Sequence, residues 1–139
     1  MRARGSIVIE REPADVFAYV TDPAKDLSWR SFLVTSHGPA PLAAGSMVRQ
    51  TYSYQGHTVN VELEVTAYEP PDRIELKAHG SVPARIVLTC TPEDGGTRFN
   101  MSGIAELTGL ASMFEGRIQR ELDAAIAGDL KRLKAVLEH

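Results

Sequence analysis

Cysteine is nearly absent from this chain: Cys90 is the single one in 139 residues. A lone cysteine cannot form an internal disulfide, and such usage is typical of a reducing compartment. No apolar run approaches the ~18 residues that a membrane-spanning helix needs. The opening segment MRARGSIVIE has two arginines but lacks the apolar stretch of a signal peptide. The sequence therefore predicts a cytoplasmic protein without stable membrane insertion.

Basic charge is not in excess either. The formal net charge is −3, which argues against nucleic acid as a partner because such proteins carry a basic surplus. The four histidines show no spacing suited to one metal ion, so neither a metal site nor a cofactor is predicted. Cys90 and Leu88 lie two residues apart on the same apolar face of a predicted strand. This favours a buried Cys90 side chain over a nucleophilic one.

Two short helices are predicted directly after a first strand in GSIVIERE. Pro13 suits a first helical position, and Val16, Phe17 and Val20 fall on one apolar face. Asp22 is expected to cap a second short helix that Pro23 begins. From Ser46 to Leu107 the apolar period is two, and from Gly109 it is helical. This order predicts a single α+β domain over residues 1–139.

Hairpin registers follow from the turn pairs. A turn at Gln55-Gly56 places Arg49 opposite Glu62 and leaves the other strand face apolar. A turn at Gly95-Gly96 would place Cys90 opposite Met101. A slip by one residue would turn charged side chains inward, which the pattern opposes.

The last helix carries a core-facing apolar stripe about 140° wide. Leu110, Met113 and Phe114 lie on a different azimuth from that stripe, so we expect the helix to bend or change partner near Gly116. The stripe consists of Ile118, Leu122, Ala125, Ile126, Leu130, Leu133 and Leu137.

Several strings in this order resemble the SRPBCC (START-like) superfamily, the helix-grip fold of birch-pollen allergens. They are IVIEREPADVFAYVTDPAKDLSW, EVTAYEPPDRIEL, EDGGTRFNM and the terminal DLKRLKAVLEH. The nearest likeness is to the polyketide cyclase/dehydrase-like and lipid-transport group.

The resemblance implies a seven-stranded antiparallel curved sheet wrapped around the long C-terminal helix, with two short helices after the first strand. It also implies a cavity between sheet and helix. Aromatase/cyclase members have a proline after a tryptophan near this place, whereas this chain reads SWRSF.

The strand registers point a mixed set of side chains toward that cavity. Gln50 and Tyr52 face inward, where they need partners: each other, water or a ligand. Trp29 is expected either to plug the end of the sheet or to form one wall of the site. Arg30 beside it could meet a ligand carboxylate or phenolate, but a position at the surface is the expectation. The candidate ligand-binding residues are Trp29, Gln50, Tyr52, Tyr54, Val61, Leu76, Phe99, Met101, Met113 and Phe114, and no catalytic residue is assigned.

Three functions fit this resemblance. The first is binding of a hydrophobic small molecule, a lipid, polyketide or aromatic compound, in the sheet–helix cavity. The second is a cyclase or dehydratase that works by positioning its substrate. The third is a protein-interaction module like the heat-shock ATPase activators, with an apolar patch around Phe32 and Leu33. The sequence leaves open whether the chain forms a homodimer.

Overall fold

Seven antiparallel strands form one curved sheet against a long C-terminal helix. The computed structural model describes residues 1–80 and 82–139. The strands are β1 (Arg2–Ile9), β2 (Leu33–His37), β3 (Met47–Tyr54), β4 (His57–Glu69), β5 (Arg73–His79), β6 (Ala84–Glu93) and β7 (Gly96–Ala105). The helices are α1 (Pro13–Val20), a 3₁₀ helix (Pro23–Ser28), a second 3₁₀ helix (Gly109–Phe114) and α2 (Glu115–Leu137). This is the predicted helix-grip fold.

The sheet order is β1-β7-β6-β5-β4-β3-β2. Strands β2 to β7 follow one another as antiparallel neighbours, and β1 pairs with β7, the last strand along the chain. The two short helices connect one edge strand of the sheet, β1, to the other, β2. None of the helices in the described part of the chain is long and apolar enough to cross a membrane.

Both short helices begin as the sequence predicts. Pro13 starts α1, whose Val16, Phe17 and Val20 are buried. The carboxylate of Asp22 accepts a hydrogen bond from the backbone N–H of Ala24 at 3.1 Å, which caps the first 3₁₀ helix. The helix also changes next to Gly116, as expected: the second 3₁₀ helix ends at Phe114 and α2 begins at Glu115.

One hairpin register is confirmed and the other is corrected. Arg49 lies opposite Glu62, as the turn at Gln55-Gly56 predicts. The β6–β7 turn is Asp94-Gly95, not Gly95-Gly96, so Cys90 lies opposite Phe99 and Leu88 opposite Met101. Asp94 and Gly95 both have positive φ, 48° and 79°, which a two-residue type I′ turn requires. The predicted register differs from the observed one by two residues, so every side chain keeps its predicted face of the sheet.

Gly96 has a different role, which is to allow two strands to come close together. It pairs with Glu93 in the sheet, and a Cβ at this position would lie 2.5 Å from the carbonyl oxygen of Ile9. The contact is with backbone, so no side-chain rotation could relieve it.

The last helix packs unevenly on the sheet. At Gly5 of β1 it approaches so closely that a Cβ would lie 2.6 Å from Ile126 and 2.8 Å from Leu130. Its buried apolar residues, Leu130, Leu133 and Leu137, belong to its C-terminal half. Farther toward its N-terminus, Leu122 and Ile126 are only half-buried. The helix is thus fixed at β1 and leaves space over β6 and β7.

The substitution Gly96→Ala should destabilise the fold by roughly 2–3 kcal/mol, because the added methyl group overlaps the Ile9 carbonyl. Urea unfolding would measure the loss. Gly103→Ala is the matched control: it lies in the same strand, and its Cβ would meet its nearest neighbour at an ordinary 3.7 Å. Equal unfolding midpoints for the two variants would contradict the assigned packing.

Candidate functional site

A mostly apolar cavity of about 240 Å³ lies between α2 and strands β6, β7 and β1. We call it the outer cavity. Small residues create the space: Gly103 and Ala105 on β7 and Ala84 on β6 line it. Larger apolar side chains complete the walls, among them Ile86, Met101, Leu122 and Ile126.

A second, smaller cavity of about 40 Å³ lies deeper, under the first 3₁₀ helix. We call it the inner cavity. Asp26, Trp29 and Gln50 line it together with apolar residues that include Leu76 and Leu88. The two cavities share four lining residues: Arg30, Tyr52, Ile86 and Met101. Polar side chains therefore stand where the outer cavity meets the inner one.

Gln50 is the centre of a buried hydrogen-bond network. Its Nε2 donates to Asp26 Oδ2 at 3.0 Å and to Ser36 Oγ at 3.2 Å. Its Oε1 accepts a hydrogen bond from the Tyr52 hydroxyl at 2.5 Å. Of the three partners that the sequence leaves open for Gln50 and Tyr52, the structure shows the first, since they bond to each other.

Arg30 is not at the surface, which corrects the sequence-based expectation. Its side chain is only 22% exposed, because α2 covers the segment that carries it. The guanidinium carbon lies 5.4 Å from the centroid of the Trp29 ring, within cation–π range. Its Nε is 3.7 Å from Asp129 Oδ2, close enough for an ion pair but too long for a hydrogen bond.

Asp129 holds this arrangement together and was missed by the sequence reasoning. It is 3% exposed. Its Oδ1 accepts hydrogen bonds from the backbone N–H of Ser31 at 3.0 Å, from the Ser31 hydroxyl and from Arg132. Arg132 also donates to the backbone carbonyl of Trp29 at 3.2 Å. A signal was available, because position 129 falls within the apolar stripe, where a carboxylate needs a buried partner.

Three buried polar atoms have no hydrogen-bond partner among the described residues: Asp26 Oδ1, Trp29 Nε1 and Arg30 Nε. All three belong to residues that line the inner cavity. Leaving such an atom unpaired typically costs ~1–3 kcal/mol. Their clustering at one cavity is typical of a site that supplies polar contacts to something else.

Burial changes the ionisation of this cluster. It raises the pKa of Asp26 to about 7, against the opposing effect of Arg30. Burial also acts to lower the pKa of Arg30, but Tyr52, Asp26 and Asp129 outweigh it and leave that pKa above its ordinary value. Arg30 therefore stays charged while Asp26 holds a proton well into the neutral range.

The structure brings together half of the candidate ligand-binding residues. Trp29, Gln50, Tyr52, Leu76 and Met101 line one or both cavities. Trp29 is also 1% exposed and meets Phe99 edge to face at 6.1 Å. It is thus a buried core residue whose ring also lines the inner cavity.

The other candidates lie elsewhere. Phe99 is a core residue beneath Trp29, and Val61 packs against the same core from a half-buried position. Tyr54 packs against Phe32, which lines the outer cavity, with 5.4 Å between the ring centroids. Met113 and Phe114 are 74% and 56% exposed, because the second 3₁₀ helix turns them away from the sheet. Neither lines the outer or the inner cavity, although both are among the candidate ligand-binding residues.

Cys90 is a free cysteine buried in the core. Burial raises the pKa of the Cys90 thiol to about 12, so the thiolate is scarce at neutral pH. Within residues 1–80 and 82–139, no three His, Cys, Asp or Glu side chains are grouped as metal ligands. The charged side chains that line the inner cavity are Arg30 and Asp26.

The chain belongs to the family described as polyketide cyclase / dehydrase and lipid transport, which matches residues 1–138. The curated proteins contain no match. The assignment agrees with the resemblance carried by the N-terminal, central and C-terminal strings. The family is named for polyketide cyclases, dehydrases and lipid transport.

Solved structures share the fold at low sequence identity. A protein of Thermus thermophilus, TTHA0849, has a TM-score of 0.84 and 18% identity, over 97% of this chain and 95% of the other. DR_A0006 of Deinococcus radiodurans has a TM-score of 0.75 and 19% identity, with coverage of 99% and 98%. DynU16, a putative protein of the dynemicin biosynthetic locus, has a TM-score of 0.70 and 20% identity, over 99% of this chain and 47% of its own.

The raised pKa of Asp26 predicts an unusual pH dependence of stability. The folded state holds the proton of Asp26 more tightly than the unfolded state does. The contribution of Asp26 to the free energy of unfolding is therefore greatest at low pH. It is lost as the pH rises from about 4 to about 7.

Asp26→Asn keeps the shape of the neutral acid and removes this loss. Relative to the natural protein, the variant should gain roughly 2–3 kcal/mol of unfolding free energy between about pH 5 and about pH 8. Urea titrations at the two pH values measure the gain, and a constant difference would count against the burial of an ionisable Asp26.

Proposed function

We propose that the protein binds a compact hydrophobic small molecule in the outer cavity. The observation that carries this proposal is the apolar space between α2 and β6–β7, which joins a polar cluster at its inner end. A largely apolar pocket with a few convergent polar groups is the usual form of a small-molecule site. Membership of a family named in part for lipid transport supports the same proposal.

The size of the cavity restricts the ligand. About 240 Å³ lies below the ~300–1,000 Å³ usual for pockets that hold drug-sized compounds. A compound of one to three fused rings or a short acyl chain suits this volume better than a full-length lipid. Met101 and Ile86 line both cavities, so they would lie along the apolar body of such a ligand.

Filling the outer cavity should abolish binding without unfolding the protein. Ala125 lines the cavity, whereas the adjacent Ala124 is exposed. Ala125→Phe should therefore weaken binding of the neutral fluorescent probe 1-aminoanthracene by at least ~10-fold, and Ala124→Phe should leave it unchanged. Fluorescence titration measures both affinities. If the natural protein fails to bind the probe, or if the two variants behave alike, the proposed site is wrong.

A cyclase or dehydratase activity is the second candidate, favoured by the ionisation of Asp26. A carboxylic acid with a pKa of about 7 is suited to donate a proton near neutral pH. Arg30, which lines the same inner cavity, would stabilise negative charge developing on a substrate oxygen. In the loss of water from a β-hydroxy ketone, the α-proton would pass to solvent water, Arg30 would stabilise the resulting enolate oxygen, and Asp26 would protonate the departing hydroxide.

This activity would be tested with a compact aromatic β-hydroxy ketone as substrate. Turnover should fall as the pH rises above about 7, because Asp26 loses its proton. Asp26→Asn should abolish turnover, while 1-aminoanthracene should still bind. Turnover that survives this substitution would exclude Asp26 as the acid, whereas no turnover by the natural protein would leave binding as the function.

A further inference from the structure

Arg30 is a largely buried cation, 22% exposed, and its Nε donor is unused. A guanidinium has five N–H donors in a planar fork. Its Nε is buried and has no hydrogen-bond partner among the described residues. The nearest carboxylate, that of Asp129, is 3.7 Å away from this nitrogen and already accepts hydrogen bonds from Ser31 and Arg132. Arg30 therefore has donors to offer, and it offers them where the two cavities meet.

The charges around Arg30 do not balance when Asp26 is protonated. Arg30 and Arg132 contribute two positive charges, and Asp129 contributes one negative charge. Asp26 adds a second negative charge only above a pKa of about 7. Below about pH 7 the formal charge of the cluster is therefore positive. Arg132 is 50% exposed and solvated in part, so Arg30, at 22% exposed, is the cation that a bound anion would stabilise most.

The surroundings hold the guanidinium in one place. The Trp29 ring lies against it at 5.4 Å. Asp129 pairs with it from α2, and Asp129 is fixed in turn by the backbone N–H of Ser31. A fork that is fixed in this way loses little conformational entropy when it binds a carboxylate through two parallel hydrogen bonds.

We propose that Arg30 binds the carboxylate of a compact, apolar organic acid whose hydrophobic body occupies the outer cavity. This inference rests on the proposed binding function and narrows it to a class of ligand. The unpartnered Trp29 Nε1, in the wall of the inner cavity, is a second donor on the same side. Arg30 is thus the residue that distinguishes acids from neutral compounds of the same shape.

A matched pair of ligands tests the proposal. 2-Naphthoate and 2-naphthamide have the same ring system and nearly the same shape, but only the first is an anion. In calorimetric titrations the natural protein should bind 2-naphthoate roughly 10- to 100-fold more tightly, as expected for charge-assisted hydrogen bonds. Arg30→Met should remove this preference and leave the affinity for 2-naphthamide almost unchanged.

The control is Arg49→Met, which removes the same formal charge from an arginine that is 79% exposed on the outer face of the sheet. This variant should keep the preference for the acid. Equal affinities of the natural protein for acid and amide would overturn the inference but leave the proposed function standing, and this comparison needs no variant to fold. Failure of both ligands and of 1-aminoanthracene to bind would overturn the inference together with the proposed function. A preference lost equally in Arg30→Met and Arg49→Met would show only a general charge effect and would also overturn it.

Discussion

The carboxylate of Asp129 ties the last helix to residues 29–31, and the position of Arg30 follows from that contact. One oxygen receives hydrogen bonds from Ser31 and Arg132, and the other faces Arg30. In α2, all of whose residues are described, Asp129 is the one charged residue among those that are buried. Removing one partner of such a buried cluster typically costs ~3–5 kcal/mol. This cost makes the arrangement of helix, loop and guanidinium hard to change one residue at a time.

The same contact explains why an apolar space remains beside a well-packed core. The helix lies against β1 at Gly5 and is held to the 29–31 segment at Asp129. Between these contacts and its N-terminal end, it faces Gly103 and Ala105, which are too small to fill the gap. Protein interiors normally close such gaps. Here the helix cannot move onto β7 without breaking the polar contacts of Asp129.

Much of the fold could be predicted from the sequence, because local patterns determine it. The alternation around Gln55-Gly56 gives the correct register, and Pro13 and Asp22 mark the short helices correctly. The second hairpin is less certain from sequence, since Asp94-Gly95 and Gly95-Gly96 both offer a turn. Asp-Gly is a favoured type I′ pair, and the close contact of Gly96 with Ile9 leaves Gly96 within the strand. The functional site could be predicted less well from the sequence. Arg30 and Asp129 are distant in sequence, and the burial of each depends on the other, so no local pattern shows that Arg30 is covered. Met113 and Phe114 lie on a different azimuth from the apolar stripe of the last helix, but this did not show that the change of helix type at Glu115 leaves them exposed.

The central claim is that Asp129 holds α2 away from β6 and β7 and thereby places Arg30 at the inner end of an apolar cavity. A crystal structure of the protein grown with 2-naphthoate tests it most directly. We expect α2 to keep its distance from Gly103, with the naphthalene rings in the outer cavity and the carboxylate within hydrogen-bonding distance of Arg30. A structure in which α2 rests on β6 and β7 with no space between them, or in which Arg30 points into solvent, would contradict the account.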